Sequence, residues 1–115
     1  MQAIVALRRP RKLAGAIHLH TGLPSDGIRT VGGPCLQAVT MHAERNGSGF
    51  SVSACALYRN HDFFQKALGN YIGLGQLLGF LAECAGLDVG KLYVISGHAY
   101  CDHKKLVRGI LDAFP

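Results

Sequence analysis

Cys35 is the residue in this sequence best suited by type and neighbours to act as a nucleophile. It follows Gly32-Gly33-Pro34 and opens an apolar run, so it stands at a loop-to-strand junction. A thiol there can be exposed and aimed into a cleft. The alternative is a small buried apolar side chain, the commoner role of a lone cysteine. Arg59 bears on that choice. Cys35–Glu44 and Phe50–Tyr58 both read as strands, and Arg45–Gly49 between them is a polar turn with Asn46-Gly47, a hairpin signal. Paired as a hairpin, their outer ends meet, and those ends are Cys35 and Arg59. A guanidinium beside a thiol favours the thiolate, the nucleophilic form. The alternative is an ordinary surface arginine.

Three amide and carboxylate side chains follow: Asn60, Asp62 and Asn70. Asp62 is explained equally well as the N-cap of a long helix. Asn70 lies inside an apolar helical stretch, and an amide there needs a partner, either neighbouring backbone or the edge of a ligand. Downstream stands His98-Ala99-Tyr100-Cys101-Asp102-His103. It is read as hydrogen bonding to a polar ligand at a strand's end, as a polar loop, or as a metal site through His98, Cys101 and His103 with Cys84. The spacing matches no common zinc pattern, so no metal ligand is assigned. Gly73-Leu74-Gly75-Gln76-Leu77-Leu78-Gly79 has one residue too many for a dinucleotide fingerprint and falls within a helix pattern rather than after a strand. Arg8-Arg9-Pro10-Arg11-Lys12 is a basic run, suited to a solvated face or a phosphate contact and too short to argue for nucleic acid.

The elements that must carry these residues are legible from periodicity. Gln2–Arg9 reads as a short helix stopped by Pro10. Ala14–His20 alternates apolar and polar and reads as a half-buried strand, and Thr21–Pro34 reads as a loop. In the third strand Phe50, Val52, Ala54, Ala56 and Tyr58 face one way, with Ser51, Ser53 and Cys55 on the other. Leu74, Leu77, Leu78, Leu81 and Ala85 then take up helical spacing, and Gly86 sits where a C-cap glycine belongs. Gly69, Gly73, Gly75 and Gly79 are costly in a helix, and the usual reason to keep them is close backbone approach to a neighbour. Lys91–Ser96 reads as a short strand. Lys104–Ala113 reads as a last helix burying Leu106, Val107, Ile110 and Leu111. Strand, hairpin, long helix, strand, helix implies an α+β sheet domain.

Composition narrows the class. The 115 residues make one domain, are 49% hydrophobic and 17% charged, and are not those of a disordered chain. Twelve basic against seven acidic residues give a net charge of +5, which suits an anionic partner without choosing one. Met1–Leu7 is apolar but precedes the basic cluster, the reverse of a secretory signal. Gly69–Leu87 is apolar enough to raise the membrane question, but Asn70, Gln76, Glu83 and its glycines argue against a span. Cys35, Cys55, Cys84 and Cys101 are accordingly read as cytosolic thiols, and a cytoplasmic protein with neither nucleic-acid nor membrane partner is expected.

Taken in order, these pieces resemble the thymidylate synthases and their relatives the pyrimidine nucleotide hydroxymethylases. Pro34-Cys35 is similar to the family's nucleophile motif. Tyr58-Arg59-Asn60-His61-Asp62 resembles its arginine-serine-x-aspartate signature, with Asn60 for serine. Asn70 falls where the family places its uracil-reading asparagine, and Gly86-Leu87-Asp88-Val89-Gly90 looks like the turn after its long helix. His98-Ala99-Tyr100-Cys101-Asp102-His103 is similar to its His-x-Tyr-x-Asn-His segment, with Asp102 for asparagine. Arg11-Lys12 sits where the family has two arginines before a strand.

The resemblance implies a thymidylate-synthase-like sheet with a long central helix. It also implies roles. Cys35 adds to C6 of dUMP, and 5,10-methylenetetrahydrofolate supplies the one-carbon unit. Arg59 binds the phosphate and favours the thiolate, and Asn60 approximates the serine's phosphate contact. Asp62 orders the pyrimidine end, Asn70 reads the uracil edge, and His98 and Tyr100 hold the deoxyribose hydroxyl. Arg11 and Lys12 reach the phosphate of a partner subunit, so a homodimer is implied. The resemblance covers the family's central-to-C-terminal part, so a fragment or reduced form of the domain is expected. No tryptophan is present and Leu36 follows Cys35 where many members have histidine. A non-catalytic nucleotide-binding or dimerising module of the same fold, or a hydroxymethylase, is the alternative.

Overall fold

The computed structural model describes residues 16–22 and 33–114. The order is β1 (Ile17–His20), β2 (Leu36–Asn46), β3 (Gly49–Asp62), α1 (Ala67–Ala85), β4 (Asp88–Tyr100) and α2 (Lys104–Ala113). The four strands form one sheet in the order β1-β2-β3-β4. The first three are antiparallel, whereas β3 and β4 are parallel, joined through α1. This is a mixed-sheet α+β architecture, as the succession of periods implies. The helix expected over Gln2–Arg9 lies outside the described residues.

The hairpin forms, with a tighter turn than expected. Asn46 pairs with Gly49, so Gly47 and Ser48 alone make the loop. Gly47 has φ +58° and no other residue of the loop is positive, the signature of a glycine-first two-residue turn. The alternation in β3 follows from packing. Val52, Ala54, Ala56 and Tyr58 join Val39, Met41 and Ala43 of β2 in a core closed by Leu78 and Ala82 of α1. Leu92 and Val94 of β4 pack against the same cluster. The residues of α1 that meet it recur at helical spacing. Gly86, at φ +64°, ends α1. Leu87 N donates to Ala82 O at 2.9 Å, the left-handed cap expected of that glycine.

Four expectations are corrected. β3 runs on to Asp62 and β4 spans Asp88–Tyr100 rather than Lys91–Ser96, so Asn60, Asp62, His98 and Tyr100 lie within strands, not in loops beyond them. Long parallel pairing extends both. Gly69, Gly73, Gly75 and Gly79 have nothing within 4 Å of where a Cβ would stand, so close approach does not explain them among the described residues. Asp62 is not the N-cap of α1. That position is Lys66, and it makes no side-chain capping bond. Finally, α2 forms but buries no residue. Leu106 and Leu111 remain more than half exposed. No helix among the described residues is long and apolar enough to cross a membrane.

Candidate functional site

Sheet topology carries most of the predicted residues to one edge. β2 starts where β3 ends, because the two are antiparallel, and β4 ends beside β3, because those two are parallel. The hairpin argument about Cys35 and Arg59 holds at the backbone: Arg59 N donates to Cys35 O at 2.8 Å. Cys35 is exposed, so the reading of it as a buried small residue is excluded. All four cysteines are free.

Beside that junction, Asn60 pairs in register with His98, and Asp62 with Tyr100. Residues directly across a ladder share a sheet face, so each of these pairs lies on a common face. His98 Nδ1 donates to Asn60 Oδ1 at 3.1 Å, and the His98 and Tyr100 rings stack with centroids 5.7 Å apart. Asp62 is 5% exposed, and its Oδ1 accepts from Phe64 N at 3.1 Å and Gln65 N at 3.2 Å. Its carboxylate thus shapes the turn that leads β3 into α1.

Asn70 stands on the first turn of α1, over the ends of β3 and β4. Its amide partner is neither backbone nor a ligand but a side chain that sequence reasoning passed over: Asn70 Nδ2 donates to His61 Nε2 at 3.0 Å. His61 is 1% exposed and also meets Ser96 Oγ through Nδ1 at 3.0 Å. Its ring stacks on Tyr58 at 4.3 Å and 6°. The one available signal was the histidine inside the motif around Asp62, paired by strand register with the segment holding Ser96. Tyr58, itself buried, has its hydroxyl pKa raised above the ordinary 10.0, first by burial, then by the neighbouring Cys35 thiol and Tyr71.

At this end of the sheet the structure therefore shows Cys35 joined to the Arg59 backbone, Asn60 to His98, Asp62 opposite Tyr100, and Asn70 bonded to His61. Arg11 and Lys12 lie outside the described residues. The metal alternative draws no support from the arrangement. His98 is held by Asn60, His103 contacts Gln65, and no group of three or more metal-ligating side chains occurs among the described residues. A cleft of about 400 Å³ opens instead at the other end of the sheet, lined by Glu44, Arg45, Asn46, Ser51, Val89, Gly90 and Lys91. None of the predicted residues lines it, and its polar groups serve the bulge there: Ser53 Oγ donates to Glu44 Oε1 at 2.7 Å and accepts from Lys91 N at 3.0 Å. No protein-family model and no curated protein matches the chain.

Proposed function

We propose that this chain carries the nucleotide side of a thymidylate-synthase-type reaction, with Cys35 as nucleophile and dUMP as substrate. One observation supports the reading: an exposed thiol just before β2 is joined through its residue's carbonyl to Arg59 N, at the end of the sheet where Asn60 pairs with His98 and Asp62 with Tyr100. That end offers a nucleophile, a cation and a row of neutral hydrogen-bonding groups, the set that a pyrimidine nucleotide requires.

In this reading the Cys35 thiolate adds to C6 of the pyrimidine, and the displaced electron pair makes C5 the carbon nucleophile. Arg59 and Asn60 hold the phosphate, with Arg11 and Lys12 of a second subunit. His98 and Tyr100 take the deoxyribose hydroxyl. Asn70 faces the base, accepting from N3–H and donating to the 4-oxygen. 5,10-Methylenetetrahydrofolate supplies the one-carbon unit and, in a synthase, the hydride. In this reading Phe63 and Phe64, both exposed just before α1, would offer its ring system an apolar surface. The homodimer has a surface available: Leu57, Tyr93 and Ile95 are 43%, 50% and 53% exposed on the sheet face opposite α1.

The test is intact mass after incubation with 5-fluoro-dUMP and 5,10-methylenetetrahydrofolate, alongside Cys35→Ser. A covalent adduct lost in the serine variant is expected. Binding of dUMP without any adduct would favour the second reading, a non-catalytic nucleotide-binding module. The observation behind that reading is Asn60, whose amide oxygen is committed to His98 and presents no hydroxyl. Absence of both adduct and binding would refute each.

A further inference from the structure

The cleft at the hairpin end of the sheet holds polar groups beyond those that the bulge uses. Ser53, one Glu44 oxygen and Lys91 N bond to one another and hold the bulge. Four side-chain groups on the same walls are left over: the Arg45 guanidinium, the Asn46 amide, the Ser51 hydroxyl and the Lys91 ammonium. They come from β2, β3 and β4, so the sheet as a whole gathers them and not one local turn.

Ser51 is the informative member. It is 5% exposed, it lines the cleft, and its hydroxyl has no hydrogen bond among the described residues. A hydroxyl taken out of water without a partner destabilises a fold, so a buried one calls for an explanation. Here the cleft is its outlet, and what enters the cleft is what meets it. Arg45 and Lys91 are in a similar state, since neither pairs with a carboxylate among the described residues. Glu44 shares the cleft, but one of its oxygens already takes the Ser53 hydroxyl. Asp88 stands across the ladder from Ser51 without lining the cleft.

Two cations, a hydroxyl and an amide are donors set on three strands. They suit an anion whose oxygens point in several directions. A phosphate monoester presents three such oxygens and a charge of about −1.5 to −2 at pH 7. A carboxylate presents two oxygens in one plane. The second Glu44 oxygen can only accept, so it suits a hydroxyl of the ligand and not its phosphate. Val89, 57% exposed, offers an apolar flank to a carbon skeleton, and Gly90 adds no side chain to fill the space. A volume of about 400 Å³ is that of a small-molecule site.

We propose that this cleft binds a hydroxylated phosphate monoester, with Arg45, Asn46, Ser51 and Lys91 on the phosphate and Glu44 on a hydroxyl. The site stands apart from the reading of Cys35, which lies toward the other end of β3.

The test is titration of the full chain with glucose 1-phosphate, a non-reducing sugar phosphate, at constant ionic strength, followed by 1H–15N correlation spectra. The amides of Asn46, Ser51, Gly90 and Lys91 should shift together and saturate. Lys91→Met keeps the backbone bond to Ser53 and should weaken binding about tenfold, the loss of one charge-assisted contact. Ser51→Ala should weaken it about fivefold and leave the urea midpoint unchanged, because no hydrogen bond among the described residues is broken. Should Ser51→Ala not fold, Lys91→Met decides. Inorganic phosphate should bind about fivefold more weakly than glucose 1-phosphate, for want of the hydroxyl that Glu44 accepts. Shifts that spread over the surface and never saturate would mean simple screening of a basic chain and overturn the proposal. Unchanged affinity in both variants, or equal affinity for the two phosphates, overturns it as well. Saturable shifts confined to Asn60, Asn70 and His98 would place the sugar phosphate at the other end of the sheet and overturn this site while leaving that one standing.

Discussion

Gly90→Ala is the substitution whose consequence follows most directly from the geometry. Val52 of β3 lies opposite Val89 and Ala54 lies opposite Leu92, so Gly90 and Lys91 together oppose the single residue Ser53. This is a bulge in a parallel pair. A Cβ at position 90 would fall on Ser53 Oγ and stand 2.8 Å from Val52 O and 3.1 Å from Val52 C. Ser53 is fully buried and cannot swing aside freely, because its hydroxyl joins Glu44 Oε1 and Lys91 N. Displacing it strands a buried donor, at about 1–3 kcal/mol. The backbone contact with Val52 cannot be relieved by any rotamer, and overpacking of that kind costs about 1–3 kcal/mol more. The sum, about 2–6 kcal/mol, is a large part of a small domain's stability. In urea melts followed by circular dichroism, a midpoint shift of about 2 M is expected for a chain of this size. In a Ser53→Ala background the hydroxyl clash is gone, so the same substitution should cost at least about 1 kcal/mol less. A Gly90→Ala protein within about 0.5 kcal/mol of wild type, or a strictly additive cycle, would refute the reasoning.

Other expectations follow from the same contacts. Asp62→Ala removes the acceptor for Phe64 N and Gln65 N and should lower stability by about 1–2 kcal/mol in the same melts, with Asp62→Asn recovering most of it. Gly73→Ala and Gly79→Ala meet open space on α1 and should each stabilise by about 0.5–1 kcal/mol; a loss instead would reveal a close-packed partner on that helix. Tyr58 titrates above its unfolded value of 10.0, so the folded state keeps its proton where the unfolded state loses it. Its contribution is complete below pH 10.0 and is lost as pH rises toward the raised value, so stability should fall over that alkaline window and fall less in Tyr58→Phe. Because the Cys35 thiol is the second cause of the rise, Cys35→Ser should move the Tyr58 phenolate absorbance transition to lower pH.

What was readable in the sequence was what neighbours dictate. Alternation in Phe50–Tyr58 and the glycine after Asn46 were enough to predict the meeting of Cys35 with Arg59, because a hairpin's register follows from its turn. Gly86 as a cap was equally local. What failed was set by distant partners. β4 was read short because Gly90, Gly97 and His98 do not resemble a strand, yet its length is imposed by pairing with β3 as far as Asp62. The bulge at Gly90 decides which of its side chains join the core. Without it Val89 and Leu92, three apart, could not both lie opposite core-facing residues. His61 escaped notice because nothing in its immediate sequence distinguishes a surface histidine from one stacked under Tyr58 and bonded to residues nine and thirty-five positions away. The apolar side of α2 was assigned to a core, but amphipathicity says only that a face wants cover, and none of the described residues provides it.

The location of the candidate site follows from the direction of the strands. An antiparallel hairpin places the start of β2 at the end of β3. A helical crossover returns β4 parallel to β3, so their carboxyl ends lie together and the first turn of α1 sits above them. Three strand ends and one helix start must therefore share an edge, and that edge holds Cys35, Asn60, Asp62, His98, Tyr100 and Asn70. Carboxyl ends of parallel strands are also where open α/β sheets most often bind ligands, by the same geometry. The opposite edge receives the hairpin turn and the Gly90 bulge, whose polar groups bond to one another. The candidate site and the bulge that sets register are thereby separated by the length of β3. Substitutions at the bulge should act on the site only through the register of β4, moving Ser96, His98 and Tyr100 together. Those at Cys35 or Asn70 should alter chemistry or recognition while the fold stands.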